Sequence, residues 1–198
     1  MVFVVHAVCN KNSIEKLFRK RYRELYNFNC YMLYFIALLD RSPDFSSMEW
    51  LVEKLTLNPP AVAGFVAEYE ARWGPRNWEI SDPSGHGHPW IHGPYFSIRF
   101  ESGVVEICHT RRFSAFTHDA SYRDRLRHFC LYIAGLTGSD RAIYTHELMP
   151  WSGESLEEIT VGLSKKIGPP ANSFQELQEA GEYTPGSWYV DNFADLKR

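Results

Sequence analysis

The sequence YFSIRFESGVVEICH, residues 95–109, decides the fold because it predicts a β-hairpin of defined register. Apolar and polar residues alternate on both sides of Ser102-Gly103, a pair that suits a two-residue turn. With that turn, the apolar side chains pair on one face: Phe100 with Val105 and Ile98 with Ile107. The hairpin therefore has one face for a core and one polar face.

The polar face of the predicted hairpin places Arg99 opposite Glu106, and opposite charges in such a pair stabilise it by roughly a few tenths of a kcal/mol. Cys108 shares this face, whereas His109 falls on the apolar one, because neighbours in a strand point to opposite sides. Cys108 and His109 therefore do not form a nucleophile and base with each other. We expect His109 to be a hydrogen-bonded core residue.

Before the hairpin, helix signals dominate the chain. An amphipathic pattern follows Ser13, the capping box Ser46-Ser47-Met48-Glu49 precedes a second helix, and Pro59-Pro60 begins a third that ends at Gly74. The apolar run at 30–39 is too short for a membrane span, which needs about twenty residues. It is typical of a buried strand, with a buried helix as the alternative.

After the hairpin, the chain alternates between helix and strand signals. Asp119, or Thr117 before it, caps a helix that Gly138 closes, and residues 141–148 read as a strand. This strand, helix, strand succession suits a parallel crossover. Two further capping boxes begin at Ser155 and Ser173, and residues 187–193 read as the last strand.

These elements predict a single α+β domain over residues 1–198, with a mixed, mainly antiparallel sheet, a central β-hairpin and helices packed on at least one face. Residues 13–74 form its N-terminal helical portion. Residues 76–94 form an irregular loop, because proline and glycine are frequent there. Residues 95–198 form the sheet.

The composition narrows the possible functions. With 44% hydrophobic and 23% charged residues, the chain is expected to fold as a globular protein. Its net charge of -3 argues against general nucleic-acid binding. Residues 147–198 hold nine acidic and four basic side chains, an asymmetry that orients a protein toward a charged partner or is a solvated surface. Neither a membrane span nor a secretory signal is recognisable, so we expect a cytoplasmic protein.

Motifs that name a reaction are missing from the sequence. It has no nucleophile elbow, no phosphate-binding P-loop and no dinucleotide-binding glycine motif. His146-Glu147 begins like a metalloprotease signature, but Pro150 occupies the position of the second histidine. The four cysteines lack C-x-x-C spacing and are expected to be buried thiols.

The heptapeptide HGHPWIH, residues 86–92, is the one candidate metal site. Three histidines and a water are a catalytic zinc arrangement, and His86 and His88 point the same way in an extended segment. His92 is harder to bring in, because the surrounding prolines disfavour the helix that would place it above His88. The alternative interpretation is a polar loop whose Trp90 packs against the core.

Side chains that dominate protein interfaces are also present. The candidate partner-binding residues are Trp90, Arg99, Glu106, Arg111, Arg112, Glu147 and Trp151. The favoured hypothesis is a non-catalytic protein-binding domain that covers a partner surface without a cofactor, as an inhibitor or immunity-type protein of a bacterial toxin system does.

Two other hypotheses stay open. One is a metal-dependent hydrolase in which His86, His88 and His92 bind zinc and Glu79 or Glu106 acts as base. The other is a small-molecule pocket between sheet and helices, lined by Phe and Tyr.

Overall fold

The computed structural model describes residues 34–42, 45–82, 89–101, 103–147, 149 and 151–196 of the 198-residue chain. These residues belong to one compact unit, Leu33–Arg198. The helix predicted after Ser13 lies outside them, as do His86 and His88. A single domain over all of residues 1–198 therefore stays a prediction.

The described part of the chain contains seven strands and six helices. The strands are β1 (Tyr34–Asp40), β2 (Glu79–Ser81), β3 (Trp90–His92), β4 (Phe96–Glu101), β5 (Val104–Arg112), β6 (Ala142–His146) and β7 (Tyr189–Asp191). The helices are α1 (Met48–Thr56), α2 (Pro60–Trp73), α3 (Phe113–His118), α4 (Ala120–Thr137), α5 (Leu156–Lys166) and α6 (Phe174–Glu179). The predicted α+β class is confirmed.

All seven strands lie in one sheet with the order β2-β3-β4-β5-β1-β6-β7. Every neighbouring pair is antiparallel, and a single parallel bridge joins Ala171 to Tyr189. Because β5 and β6 both flank β1, they run in the same direction. The parallel relationship expected for these two strands is therefore present, with β1 inserted between them.

The hairpin of β4 and β5 has the predicted register. Ile98 pairs with Ile107, Arg99 with Glu106, and Phe100 with Val105. The apolar run at 30–39 contributes β1, the strand next to this hairpin, and confirms the strand interpretation. Its residues are continuously apolar because both sides of β1 are covered.

The two faces of the sheet carry separate cores. The first face bears Phe35 and His109, and α1 to α4 supply its main apolar cover. The second face bears Ile36 and Glu106, and α5 packs on it over β1 and β6. The expectation of helices on at least one face is confirmed. None of the described helices is long and apolar enough to cross a membrane.

The segment predicted to be irregular, residues 76–94, contains the short strands β2 and β3, and residues 83–88 lie outside the description. Ile91 pairs with Ile80 on one side and with Ile98 on the other, and it is fully buried. Tertiary pairing therefore overrides the local preference of proline and glycine for turns. The portion described above as helical, residues 13–74, is likewise interrupted by β1.

Ser155 and Ser173 cap α5 and α6 as predicted, whereas α1 is capped by Ser47 and not by Ser46, the first residue of the predicted capping box. Asp119 caps α4 by accepting a hydrogen bond from the Tyr122 backbone N–H at 3.0 Å. Thr117, the alternative cap, lies inside α3. Gly138 ends α4 in the left-handed conformation that glycine adopts without strain. The pocket described below is bordered by α3, which ends where the Asp119 cap begins α4.

Candidate functional site

Two rows of side chains run across β3, β4 and β5 on the second face of the sheet. Trp90 pairs with Arg99, and Arg99 pairs with Glu106. Beside this row, His92 pairs with Ser97 and Ser97 pairs with Cys108. We call the side chains of these two rows the polar patch. Three predicted partner-binding residues, Trp90, Arg99 and Glu106, are thus direct neighbours.

Arg99 is held on two sides within the polar patch. Its guanidinium lies 4.5 Å from the centre of the Trp90 ring. Nε donates to Oε1 of Glu106 at 2.8 Å, and Nη2 donates to the same oxygen. Burial raises the pKa of Glu106, while the charge of Arg99 opposes that rise. The arrangement is a stacked cation fixed by a buried carboxyl.

Cys108 has the environment of an unreactive thiol. Burial is the main cause that raises its pKa to about 12, and the nearby Glu106 carboxyl adds to the rise. The thiolate is the nucleophilic form of cysteine, so this thiol is protonated at neutral pH. His146 lies opposite Phe35 in the register, on the first face, and therefore away from Cys108. The two residues do not form a nucleophile–base pair.

Glu147 and Trp151 follow β6 on the chain. Burial raises the pKa of Glu147 to about 7, and Glu106 adds to the rise, whereas a hydrogen bond with the Tyr34 backbone lowers it. Trp151 is partly buried against the second core, next to which Cys108 also packs. Glu147 is thus near the polar patch, although neither residue belongs to its two rows.

His92 is the one residue of the predicted zinc set that the structure describes. Its Nε2 is buried without a hydrogen-bond partner, and Glu79 lies directly opposite it on β2. Burial and then Arg76 lower its pKa, which keeps the ring neutral, the form that binds metals. Among the described residues no group of three potential ligands converges. Glu106, one of the two candidate bases, is bonded to Arg99.

The remaining predicted residues, Arg111 and Arg112, line a pocket at the end of β5. This open pocket has a volume of about 530 Å³ and is lined by Thr110, Arg111, Arg112, Ser114, Ala115 and His118. Tyr34 of β1 pairs with Arg112 while Phe35 pairs with His109, so a β-bulge interrupts the ladder here. Strand alternation consequently ends before the two arginines, and both border one cavity. We call this cavity the basic pocket.

At this bulge, the His109 side chain forms a hydrogen bond with the Arg111 backbone N–H in place of a bond between strands. Its Nδ1 accepts this hydrogen bond at 2.9 Å, so the proton of the neutral ring lies on Nε2. The Tyr122 hydroxyl lies 2.9 Å from Nδ1 and 3.1 Å from Nε2. Burial and the charges of Arg111 and Arg125 lower its pKa to about 3. The prediction of a hydrogen-bonded core histidine is confirmed.

The Arg111 side chain is also held in place by contacts with other elements. Its guanidinium lies 4.8 Å from the centre of the Tyr122 ring, and Nη2 donates to Oε1 of Glu68 on α2. Arg125 approaches the other oxygen of Glu68 at 3.5 Å. One carboxylate therefore serves two guanidinium groups, which leaves this trio with a net positive charge.

His118 and Glu68 also belong to this region, and neither is among the residues that the sequence predicts for a site. Glu68 sits on a helical face without any local feature that distinguishes it from other exposed acids. His118 lies at the end of α3, a six-residue helix that lacks a side-chain cap. Its one signal was proximity to Arg111 and Arg112 in the chain.

The layer between the sheet and the helices of the first face is filled by aromatic side chains. The rings of Phe96 and Phe129 stack with their centres 4.0 Å apart, and Phe65 lies edge-on to Phe96 at 5.0 Å. Aromatic residues that the pocket hypothesis assigned to a ligand thus contact each other.

His146 is a buried residue whose ring nitrogens form no hydrogen bond with the packed residues around it. It is 2% exposed, and neither ring nitrogen has a hydrogen-bond partner. Phe113 and Tyr183 lie edge-on to its ring, at 6.0 and 5.1 Å between centres. Burial lowers its pKa to about 4, so the ring is neutral at physiological pH.

Comparisons with known proteins identify no relative. No protein-family model matches the chain. No curated protein and no solved structure matches it either.

Proposed function

We propose that this chain is a non-catalytic, cytoplasmic protein-binding domain that covers a partner surface, with Trp90 and Arg99 at the centre of the contact. An inhibitor or immunity-type protein of a bacterial toxin system is the biological form that we favour. The observation that carries the proposal is the position of Arg99, between the Trp90 ring at 4.5 Å and the Glu106 carboxyl.

Ordering a side chain on binding costs about 0.5–1.5 kcal/mol for residues with many rotamers. Arg99 is already ordered by its stack on Trp90 and its hydrogen bonds to Glu106, and 26% of its side chain is still exposed. Tryptophan and arginine are the residue types most enriched among those that dominate binding energies. A fixed pair of these two types, partly open to solvent, supports a contact site.

The position of the pair in the sheet favours access from outside. On the second face, α5 packs over β1 and β6, two strands on the far side of β5 from Trp90 and Arg99. Trp90 and Arg99 lie on β3 and β4, adjacent strands held by main-chain hydrogen bonds. A sheet surface of this kind presents its side chains with little backbone movement, which favours recognition of one shape.

The chemistry of the polar patch also argues for binding over catalysis. The Cys108 thiol is protonated at neutral pH because its pKa is raised to about 12. Glu106 is engaged by Arg99, and His92 on β3 pairs with Ser97, not with Cys108. The patch thus offers neither an activated nucleophile nor a base beside one.

The test uses the purified full chain and the product of the neighbouring gene as the candidate partner, with binding measured by calorimetry at physiological salt. We expect Trp90→Ala to weaken binding by about thirtyfold or more, as a residue worth about 2 kcal/mol does. Arg99→Lys, which keeps the charge but loses the planar group, is expected to weaken it similarly. Trp73→Ala is the matched control, because Trp73 is 68% exposed on α2.

Each result of this experiment is decisive for one part of the proposal. Binding that Trp90→Ala and Arg99→Lys leave unchanged would place the contact elsewhere. Failure of the wild-type chain to bind would remove the immunity-type form. Turnover of a substrate that is lost on changing a single histidine or cysteine in a folded variant would overturn the non-catalytic assignment.

A second candidate function, a zinc-dependent hydrolase, is favoured by one observation. Nε2 of His92 is buried without a partner, and Glu79 pairs with His92 on the neighbouring strand. In this alternative, His86 and His88 supply the other two ligands and a water completes the site. Elemental analysis of the purified chain tests it: stoichiometric zinc, lost in His86→Ala and His88→Ala, supports the hydrolase, and a folded chain free of transition metal contradicts it.

A further inference from the structure

We propose that the basic pocket at the end of β5 binds the phosphate group of a small organic molecule. This proposal concerns a different surface from the polar patch and does not depend on the protein-binding function. It is carried by the side chains that meet at the cavity and by the contacts that fix them.

The basic pocket is lined by polar side chains set in a surface that is mainly apolar. Arg111 and Arg112 bring guanidinium groups, His118 brings an imidazole, and Thr110 and Ser114 bring hydroxyls. Of the described residues that line the pocket, none is acidic. A phosphate group accepts hydrogen bonds at three oxygens, whereas a carboxylate offers two. Two guanidinium groups and two hydroxyls suit the larger set of acceptors.

Arg111 is positioned before any ligand arrives. Its backbone N–H is bonded to His109, its guanidinium stacks on Tyr122, and Glu68 holds Nη2. Because Glu68 also serves Arg125 at 3.5 Å, its single negative charge does not neutralise both cations. A fixed arginine with surplus positive charge nearby binds an anion at a low cost in side-chain entropy.

His118 is oriented by contacts within its own helix. Its Nδ1 lies 3.0 Å from the carbonyl oxygen of Ser114 and 2.7 Å from the Thr117 hydroxyl. A carbonyl oxygen can only accept, so Nδ1 carries a proton. These contacts use the Nδ1 side of the ring, so the Nε2 side of His118 is the one left for a ligand.

The volume of the basic pocket indicates more than a bare phosphate ion. At about 530 Å³ it has room for more than a phosphate group, and because it is open to solvent, part of a ligand would stay exposed. Ala115 adds an apolar wall beside the polar residues. The inferred ligand therefore joins a phosphate to a small organic part.

The test follows the amide NMR spectrum of the full chain during titration with inorganic phosphate at constant ionic strength. We expect saturable shifts confined to residues 110–118 and a dissociation constant in the millimolar range or tighter. Arg112→Ala removes an exposed side chain, so the fold is retained, and we expect affinity to fall about tenfold with loss of one charge-assisted contact. Arg72→Ala on α2, an exposed position with the same change of charge, is expected to leave the affinity unchanged.

A parallel titration with succinate separates phosphate from carboxylate. Tighter binding of succinate at the same residues would overturn the assignment of a phosphate group. Shifts that do not saturate, or that Arg112→Ala and Arg72→Ala reduce equally, would show general attraction to the surface charge and would overturn the site itself. A third titration uses a series of phosphorylated metabolites. If the organic part of the ligand also binds, at least some of them should have a lower dissociation constant than inorganic phosphate.

Discussion

Arg127 on α4 and Asp191 on β7 are joined by two hydrogen bonds, Nε to Oδ2 at 2.7 Å and Nη2 to Oδ1 at 3.2 Å, although 64 positions separate them. Both side chains are almost fully buried. Oδ1 of Asp191 also accepts from the Phe193 backbone N–H at 2.8 Å. This ion pair attaches the edge strand of the sheet and the chain after it to the longest helix of the described fold.

Arg127→Met is expected to lower the free energy of unfolding by about 3–5 kcal/mol, because it leaves the Asp191 carboxylate buried without its cation. Urea denaturation measures the loss. Asp195→Ala is the control: its side chain also accepts from Arg127 but is 65% exposed, so we expect a loss below about 1 kcal/mol. Replacing both partners, with Arg127→Met and Asp191→Leu together, should recover much of the loss. Equal small losses in Arg127→Met and Asp195→Ala would contradict the assignment.

His146→Phe is expected to raise the free energy of unfolding by about 1–2 kcal/mol at neutral pH. The wild-type ring buries two nitrogens without partners, and phenylalanine fits the aromatic surroundings of Phe113 and Tyr183 without that cost. Urea denaturation at pH 7 measures the change. His128→Phe, at an exposed position, is the control and should change stability by less than about 0.5 kcal/mol. If His146→Phe destabilises the fold, the ring nitrogens must form hydrogen bonds that stabilise the native state.

The advantage of His146→Phe over wild type should grow as the pH falls from about 6.5 toward 4. The pKa of His146 is lowered to about 4 in the folded state, below its ordinary value of 6.5, so in this window the unfolded chain binds a proton that the folded chain does not. Wild type therefore loses up to about 1 kcal/mol per pH unit from this residue, and the variant does not. A pH series of urea titrations measures the difference, and a difference that stays constant with pH would refute the explanation.

Glu147→Gln should stabilise the fold above pH 7 and have little effect near pH 4. Burial raises the pKa of Glu147 to about 7 in the folded state, above its ordinary value of 4.5. The stability that the protonated carboxyl contributes is therefore lost as the pH rises from 4.5 through 7. Because the side chain is partly exposed, we expect a gain of about 1 kcal/mol. Thermal unfolding at pH 8 and pH 4 measures it, and an equal effect at both pH values would contradict the assigned cause.

Cys108 should react with iodoacetamide much more slowly in the folded chain at pH 8 than in urea. Burial holds its pKa near 12, so the thiolate that attacks the reagent is scarce. Cys130, which is fully buried and has a raised pKa, serves as the internal reference. Peptide mass mapping reads both sites separately. Rapid alkylation of Cys108 in the native state would reopen the case for a catalytic thiol.

The sequence predicts the parts of the fold that are determined by residues close together in the chain. Alternation and a two-residue turn are sufficient to set the register in which Arg99 meets Glu106. The sequence does not predict β2 and β3, because strands of three residues form only where neighbouring strands pair with them. Ile91 of β3, for example, pairs with Ile80 on one side and with Ile98 on the other. Propensity in a segment rich in proline and glycine points to turns, and the sheet edge overrides it.

In the candidate sites too, contacts with a local cause can be predicted from the sequence, whereas contacts that depend on tertiary packing cannot. The Arg99–Glu106 pair follows from the hairpin alone, whereas the stack of Trp90 on Arg99 requires the register of β3 on β4. Arg111 and Arg112 are visible in the sequence, but their meeting at one cavity depends on the bulge opposite Tyr34. Glu68 joins Arg111 from 43 positions away, through the packing of α2 that no local pattern encodes.

The place of β1 in the sheet sets the order in which the protein can be completed during synthesis. β1 leaves the ribosome before every other described strand, yet its two neighbours begin at Val104 and Ala142. At about 5–20 residues per second, the edge that pairs with β5 waits roughly 3–13 seconds and the edge that pairs with β6 waits roughly 5–20 seconds. During that interval an unpaired, hydrophobic edge is open to other nascent chains, so the yield of native protein should depend on translation rate and on chaperones that shield residues 34–40.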